Sequence, residues 1–158
     1  MTHLVSYYPD ISLLSMVETK KELNPILLQQ FDINLRDAQG RNALYRAIAN
    51  QSEHNVRLLL QHNISLHVTP RLHALFQAVT LESLTIVGYL LSQDININMR
   101  NPQGETPLIV AVQHKNLSMI RYLLRYGADA TASCYRNKSV ADYGRMTQNS
   151  EIQALFNR

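Results

Sequence analysis

The sequence predicts an all-α fold built from stacked pairs of short helices joined by turns. Three observations carry this. Residues Asn101 to Ala130, NPQGETPLIVAVQHKNLSMIRYLLRYGADA, read as one complete turn, helix, break and helix. The helix opening recurs in phase: Ala43-Leu44-Tyr45, Ala74-Leu75-Phe76 and Pro107-Leu108-Ile109 correspond, and Ser139-Val140-Ala141-Asp142 opens a further unit, at offsets of 31, 33 and 33 residues. The second helices keep the same phase, because Leu59-Leu60, Leu90-Leu91 and Leu123-Leu124 each begin 16 residues past the marker position. Units that share their apolar faces only with neighbours form one elongated domain, here expected over 1–158.

Within the clearest unit each residue type has a physical reason. Asn101-Pro102-Gln103-Gly104 has the preferences of a type I turn, with Asn first, Pro second and Gly fourth. Thr106 is placed to cap a helix, and Pro107 takes the first helical position, where a missing N–H costs nothing. Leu108, Ala111 and Val112 give that helix an apolar face; Leu117, Ile120, Leu123 and Leu124 are the buried set expected of the second. Gly127 stands where a left-handed residue ends it. With its GxTPL opening and LLxxGAD close, the stretch resembles one ankyrin repeat from end to end. The resemblance implies an ankyrin solenoid of helix-turn-helix units whose β-turn fingers and first helices line a concave surface.

The remaining units follow in chain order. Residues 1–34 read as a divergent N-terminal cap repeat: Ile11, Leu13 and Leu14 belong to its first helix, Pro25 starts the second, Ile26-Leu27 falls where later units have Leu-Leu, and Asp32-Ile33-Asn34 aligns with Asn96-Ile97-Asn98. Residues 35–66 carry Asp37-Ala38-Gln39-Gly40 as the turn and Asn42 as the cap. Gln51 replaces the helix-linking Gly of the family and Asn63 the C-terminal Gly, a mild change because Asn tolerates left-handed backbone. Residues 67–97 are two short, and His67-Val68-Thr69-Pro70-Arg71 replaces the DxxG turn, so an abbreviated finger is expected. After the unit at 98–130, residues 131–158 read as a truncated C-terminal repeat closing on Glu151, Ile152, Leu155 and Phe156, with Asn157 and Arg158 solvated.

Composition narrows the chemistry. At 158 residues, 46% hydrophobic and 17% charged, the chain can bury a continuous core. Cys134 is the one cysteine, which excludes an internal disulfide and fits a reducing compartment. No apolar run reaches membrane-spanning length, and Met1 to Asp10 lacks the basic start and apolar core of a secretory leader. There is no Gly-rich phosphate loop, HExxH, CxxC or GxSxG. Cys134 with a histidine would be a nominal nucleophile and base, but it occupies the position that opens the last turn. His54, His62 and His67 lack the spacing of a metal site. A non-enzymatic protein without cofactor or metal is expected.

The resemblance places function on the concave surface. Carried over by position, the partner-facing set is Arg36, Gln39, Arg41, Tyr45, Arg46, Asn50, Arg71, Phe76, Gln77, Arg100, Gln103, Glu105, Gln113, His114, Tyr135, Arg136 and Lys138, accompanied by Val110 among others. Seven of the fifteen Lys and Arg residues fall there, with Glu105 as the acid. A basic groove with aromatic edges suits an acidic protein partner, because the arginine fork pairs with carboxylates and like charges speed encounter. Arg41 and Arg46 are expected to be exposed. A net charge of +3 and the lack of a dedicated motif argue against nucleic acid, the competing anion. In size and repeat number the chain is similar to small ankyrin inhibitors that block a kinase by occupying it. Its Asn, Gln, Ile and Leu usage resembles ankyrin proteins that intracellular bacteria deliver into host cells, which implies a host protein partner and delivery by a non-Sec secretion system. A cytoplasmic location and a monomer are expected.

Overall fold

In the computed structural model, residues 13–18 and 22–156 are described. The readings made for Met1 to Asp10, Ile11, the Leu27 side chain, Asn157 and Arg158 lie outside the described residues. The fold is an all-helical ankyrin solenoid, and the chain divides into two compact units, Met1–Pro70 and Arg71–Arg158.

Unit 1 contains α1 (Leu13–Glu18), α2 (Pro25–Leu28), α3 (Ala43–Ala49), α4 (Glu53–Gln61) and the short strand β1 (His67–Thr69). Helix α3 packs on α1, α4 and β1. Its opening follows from Asn42, whose side chain accepts the Tyr45 N–H at 3.0 Å and donates to Ser65 O at 2.8 Å, so one buried amide caps the helix and holds the loop before β1. Leu13, Leu14 and Val17 are buried, as their assignment to a first helix requires, and α2 starts at Pro25. The apolar register of α2 is corrected: Ile26 is 68% exposed and Leu28 is buried. A second buried amide, Asn55 Oδ1, accepts the Leu23 N–H at 2.8 Å and ties the segment before α2 to α4.

Unit 2 contains β2 (Leu72–His73), α5 (Ala74–Thr80), α6 (Leu84–Leu91), α7 (Pro107–Gln113), α8 (Leu117–Arg125), α9 (Val140–Met146) and α10 (Ser150–Phe156). Each first helix packs on its own second helix, and α7 also packs against both α5 and α9. That double contact is why Pro107 to Val112 are all buried, Val110 included, although its position was expected to face a partner. On α8 the core side is Met119, Ile120 and Leu123, whereas Leu117 and Leu124 are half-buried. Leu-to-Met substitution keeps volume, so residue type alone did not separate these positions.

The phase of the repeats is written in the backbone. Gln51, Glu82, Lys115 and Gln148 all have positive φ at the link between paired helices, and Asn63, Asp94 and Gly127 have it after the second helix. At the place of the missing DxxG turn, β1 closes unit 1 and β2 opens unit 2, and His73 Nδ1 accepts the Leu75 N–H at 3.2 Å as the cap of α5. The last first helix opens with a capping box: Ser139 Oγ accepts the Asp142 N–H, and Asp142 Oδ2 accepts the Ser139 N–H at 2.8 Å. Among the described residues, no helix is long and apolar enough to cross a membrane.

Candidate functional site

The turns opening at Asp37, Asn101 and Cys134 share one backbone frame. In each, the fourth N–H donates to the first carbonyl, at 2.8, 2.8 and 3.0 Å, and the fourth residue (Gly40, Gly104 or Asn137) has positive φ. The first side chain accepts the N–H groups two and four residues on. Asp37 Oδ1 takes those of Gln39 and Arg41, both at 2.9 Å, and Asn101 Oδ1 takes those of Gln103 at 3.0 Å and Glu105 at 2.9 Å. At Cys134 the sulfur receives the backbone N–H groups of Arg136 and Lys138. Held this way, the second and third residues of each turn, Ala38-Gln39, Pro102-Gln103 and Tyr135-Arg136, are all exposed.

In unit 1 the frame carries its own counter-charge. The second oxygen of Asp37 accepts Arg41 Nε at 2.7 Å and Arg46 Nη2 at 3.0 Å. Burial alone would raise the Asp37 pKa, but the Arg41 backbone and side-chain hydrogen bonds, the Gln39 N–H and the Arg41 charge pull it down to about 2. Arg41 also lies over the Tyr45 ring, 5.5 Å from its centroid. The expected exposure of Arg46 is corrected: its side chain is only 15% exposed, because it reaches under the turn to Asp37. Arg36 donates to Gly40 O at 2.7 Å and His67 O at 2.8 Å, and the Asn50 amide donates to Val17 O at 2.8 Å. Of the residues read as partner-facing in this unit, Gln39 and Arg36 are exposed, while Tyr45, Asn50 and Arg41, the last also expected to be exposed, are half-buried.

In unit 2, Arg71 is exposed, whereas Phe76 and Gln77 are buried in α5 at 4% and 7% exposure. Arg100 repeats the role of Arg36, donating to Gly104 O at 2.6 Å and to Ser133 O. Glu105 is held by neutral amides, Asn101 Nδ2 at 2.9 Å and Gln113 Nε2 at 2.8 Å, and His114 is the exposed C-cap of α7. The last turn differs. Its tip carries Tyr135, Arg136 and Lys138, all exposed, and its first residue is a thiol. The Tyr143 hydroxyl, 3.5 Å from Cys134 Sγ, together with the Arg136 and Lys138 backbone N–H groups, lowers the thiol pKa against burial and the charge of Glu105.

Three contributors went unread as site residues. Asp37 was visible as a turn former, but that it would neutralise two arginines depends on Arg46 lying one helix turn above it. His73 as a cap and Met146, exposed beside Lys138, carry no local signature. A cleft of about 560 Å³ lies over α6 and α8, lined by Leu84, Gly88, Tyr89, Tyr122 and neighbours, none of them charged. Among the described residues, no group of three or more His, Cys, Asp or Glu side chains is placed to hold a metal ion.

Helix pairs at this period, capped first helices and a shared turn frame define a repeat protein of the ankyrin type. The family model for ankyrin repeats (3 copies) matches residues 67–134. Among curated proteins it is similar to Alpha-latrotoxin-Lhe1a of Latrodectus hesperus, 43% identical over 58 residues, covering 37% of this chain and 4% of the toxin. Alpha-latrotoxin-Lh1a of Latrodectus hasselti and Alpha-latrotoxin-Lg1a of Latrodectus geometricus are each 41% identical over 58 residues. The chain thus matches only 4% of the length of these relatives. Ankyrin repeats generally mediate protein–protein interaction and are generally not enzymes.

Proposed function

We propose that this chain is a non-catalytic module that takes an acidic segment of a partner protein on the side bearing its turns and first helices, the concave side of an ankyrin stack. One observation carries the reading: three turns with the same internal hydrogen bonds expose chemically different tips, Ala38-Gln39, Pro102-Gln103 and Tyr135-Arg136. A frame that is fixed while its tips vary presents side chains with little ordering cost on binding, the requirement of protein recognition. The basic residues around these tips favour a partner rich in carboxylates.

The test is an NMR titration of the ¹⁵N-labelled chain with a peptide of alternating Glu and Leu, and separately with a DNA duplex. Perturbed turn amides with the peptide, weakening only modestly with salt, are expected. Perturbation by the duplex alone, falling steeply with salt, would replace this reading with nucleic-acid binding. No response to the peptide would refute it.

A further inference from the structure

We infer that the anchor for the acidic segment is the last turn, Tyr135, Arg136 and Lys138 with the adjacent Met146, and that the turn in unit 1 is closed to it. This rests on the proposed function and narrows it to one patch and one kind of ligand, a carboxylate-bearing segment with an apolar residue beside the charge.

The residue that opens each turn decides the matter. In unit 1 it is Asp37, so the frame-making side chain is also an anion that holds Arg41 and Arg46. A partner carboxylate there would have to displace Asp37 from two bonds. At the last turn Cys134 makes the same backbone bonds without a fixed full charge, and position 138, which corresponds to Arg41, is a lysine facing no carboxylate from its own turn. Among the described residues Arg136 makes no side-chain hydrogen bond or ion pair, and Lys138 Nζ meets only the Met146 sulfur at 3.9 Å and the Tyr143 ring, 6.0 Å to its centroid. Nearby acids are engaged elsewhere: Asp142 with Ser139 and Arg145, Asp129 with Thr131, and Glu105 with Asn101 and Gln113. The charge of Glu105 does reach Cys134, where it acts against the lowering of the thiol pKa.

The same tip supplies the apolar half of the contact. Tyr135 is 71% exposed yet fixed, since its N–H donates to Gln103 O at 3.3 Å and its ring lies on Gly104, where an added Cβ would sit 2.5 Å from the ring carbons. Met146, 61% exposed, lies beside the Lys138 ammonium. A rigid tyrosine beside an arginine fork is the composition of an interface hot spot. The charge present is small for phosphate-backbone binding, so the partner is a polypeptide.

The experiment uses the full chain and the alternating Glu/Leu peptide, with affinity read by fluorescence anisotropy. Arg136→Glu with Lys138→Glu should weaken binding by about tenfold or more, the loss of roughly two charge-assisted contacts. Tyr135→Ala should weaken it without altering its salt dependence. Arg41→Gln should change affinity less than about twofold, a difference of a few tenths of a kcal/mol. Wild-type binding that survives the Arg136/Lys138 reversal, or that is lost on Arg41→Gln, overturns this assignment and leaves the proposed function standing. Absence of wild-type binding removes both. Unchanged circular dichroism melting of the reversal variant is required, as both side chains are exposed.

Discussion

The first and last turns share a backbone frame but open on different groups, a carboxylate at Asp37 and a thiol at Cys134, and that difference separates a structural turn from a displayed one. Asp37 uses one carboxylate oxygen to build the turn and the other to gather two arginines beneath it. Cys134 builds the same turn with sulfur, and the cations around it stay on the surface. Counting basic residues along the sequence treats these as equivalent. Electrostatically they are opposite, since a cation paired within its own turn offers little to a partner.

Perturbations that remove the support beneath the turns should have the largest effect. Leu123→Ala, at a fully buried position of α8, should cost about 2 to 5 kcal/mol in urea unfolding, and Leu117→Ala, half-buried on the same helix, clearly less. Equal costs would show that the α8 core is misassigned.

Next come the two left-handed glycines of unit 2. Gly104 and Gly127 have φ of +75° and +89°, so alanine strains both by about 1 kcal/mol or slightly more. At Gly104 the new methyl also meets the Tyr135 ring, whereas nothing lies within 4 Å at Gly127. Gly104→Ala should therefore cost about 1 to 3 kcal/mol beyond Gly127→Ala and shift the Tyr135 ring resonances. If the two variants match in stability and Tyr135 does not move, the fixed aromatic tip is wrong.

Asp37→Asn keeps the turn acceptor and removes the counter-ion, an expected loss of about 1 kcal/mol for partly exposed pairs. Its pH dependence carries a sign. The folded-state pKa of about 2 lies below the ordinary 3.8, so the stabilisation is present above about pH 4 and is lost as the pH falls toward 2. The wild-type advantage over Asp37→Asn in thermal melting should shrink across that window; an advantage that grows on acidification would contradict the pairing.

The smallest change is a gain. Lys115 holds φ of 57° at a helix link where glycine is unstrained, and Lys115→Gly should stabilise by up to about 1 kcal/mol after the extra unfolded-state entropy of glycine is allowed for. A net loss would mean that the lysine side chain supplies a contact worth more than the strain.

Much of the fold was legible because it is local and repeated. The caps at Asn42 and Thr106, the Pro25 helix start and the left-handed Asn63 follow from backbone chemistry that each residue expresses alone, and the marker phase from its repetition. What was not legible depends on neighbours. Phe76, Gln77 and Val110 were read as facing a partner but are buried by residues distant in the sequence. Ile26 was misplaced because the four-residue α2 is too short to impose a period. The candidate surface fared likewise. Which arginines stand on turns was readable, whereas which of them are already paired required the geometry of Asp37 with Arg41 and Arg46.

The most direct test of the contrast moves the carboxylate. Cys134→Asp gives the last turn the opening residue of the first and places an anion beside Lys138. If turn identity decides whether the cations are displayed, this substitution should leave the fold intact and weaken binding of the Glu/Leu peptide several-fold, with Lys138 resonances shifting toward those of a paired ammonium. Peptide affinity equal to the wild type in a folded Cys134→Asp chain would contradict the account.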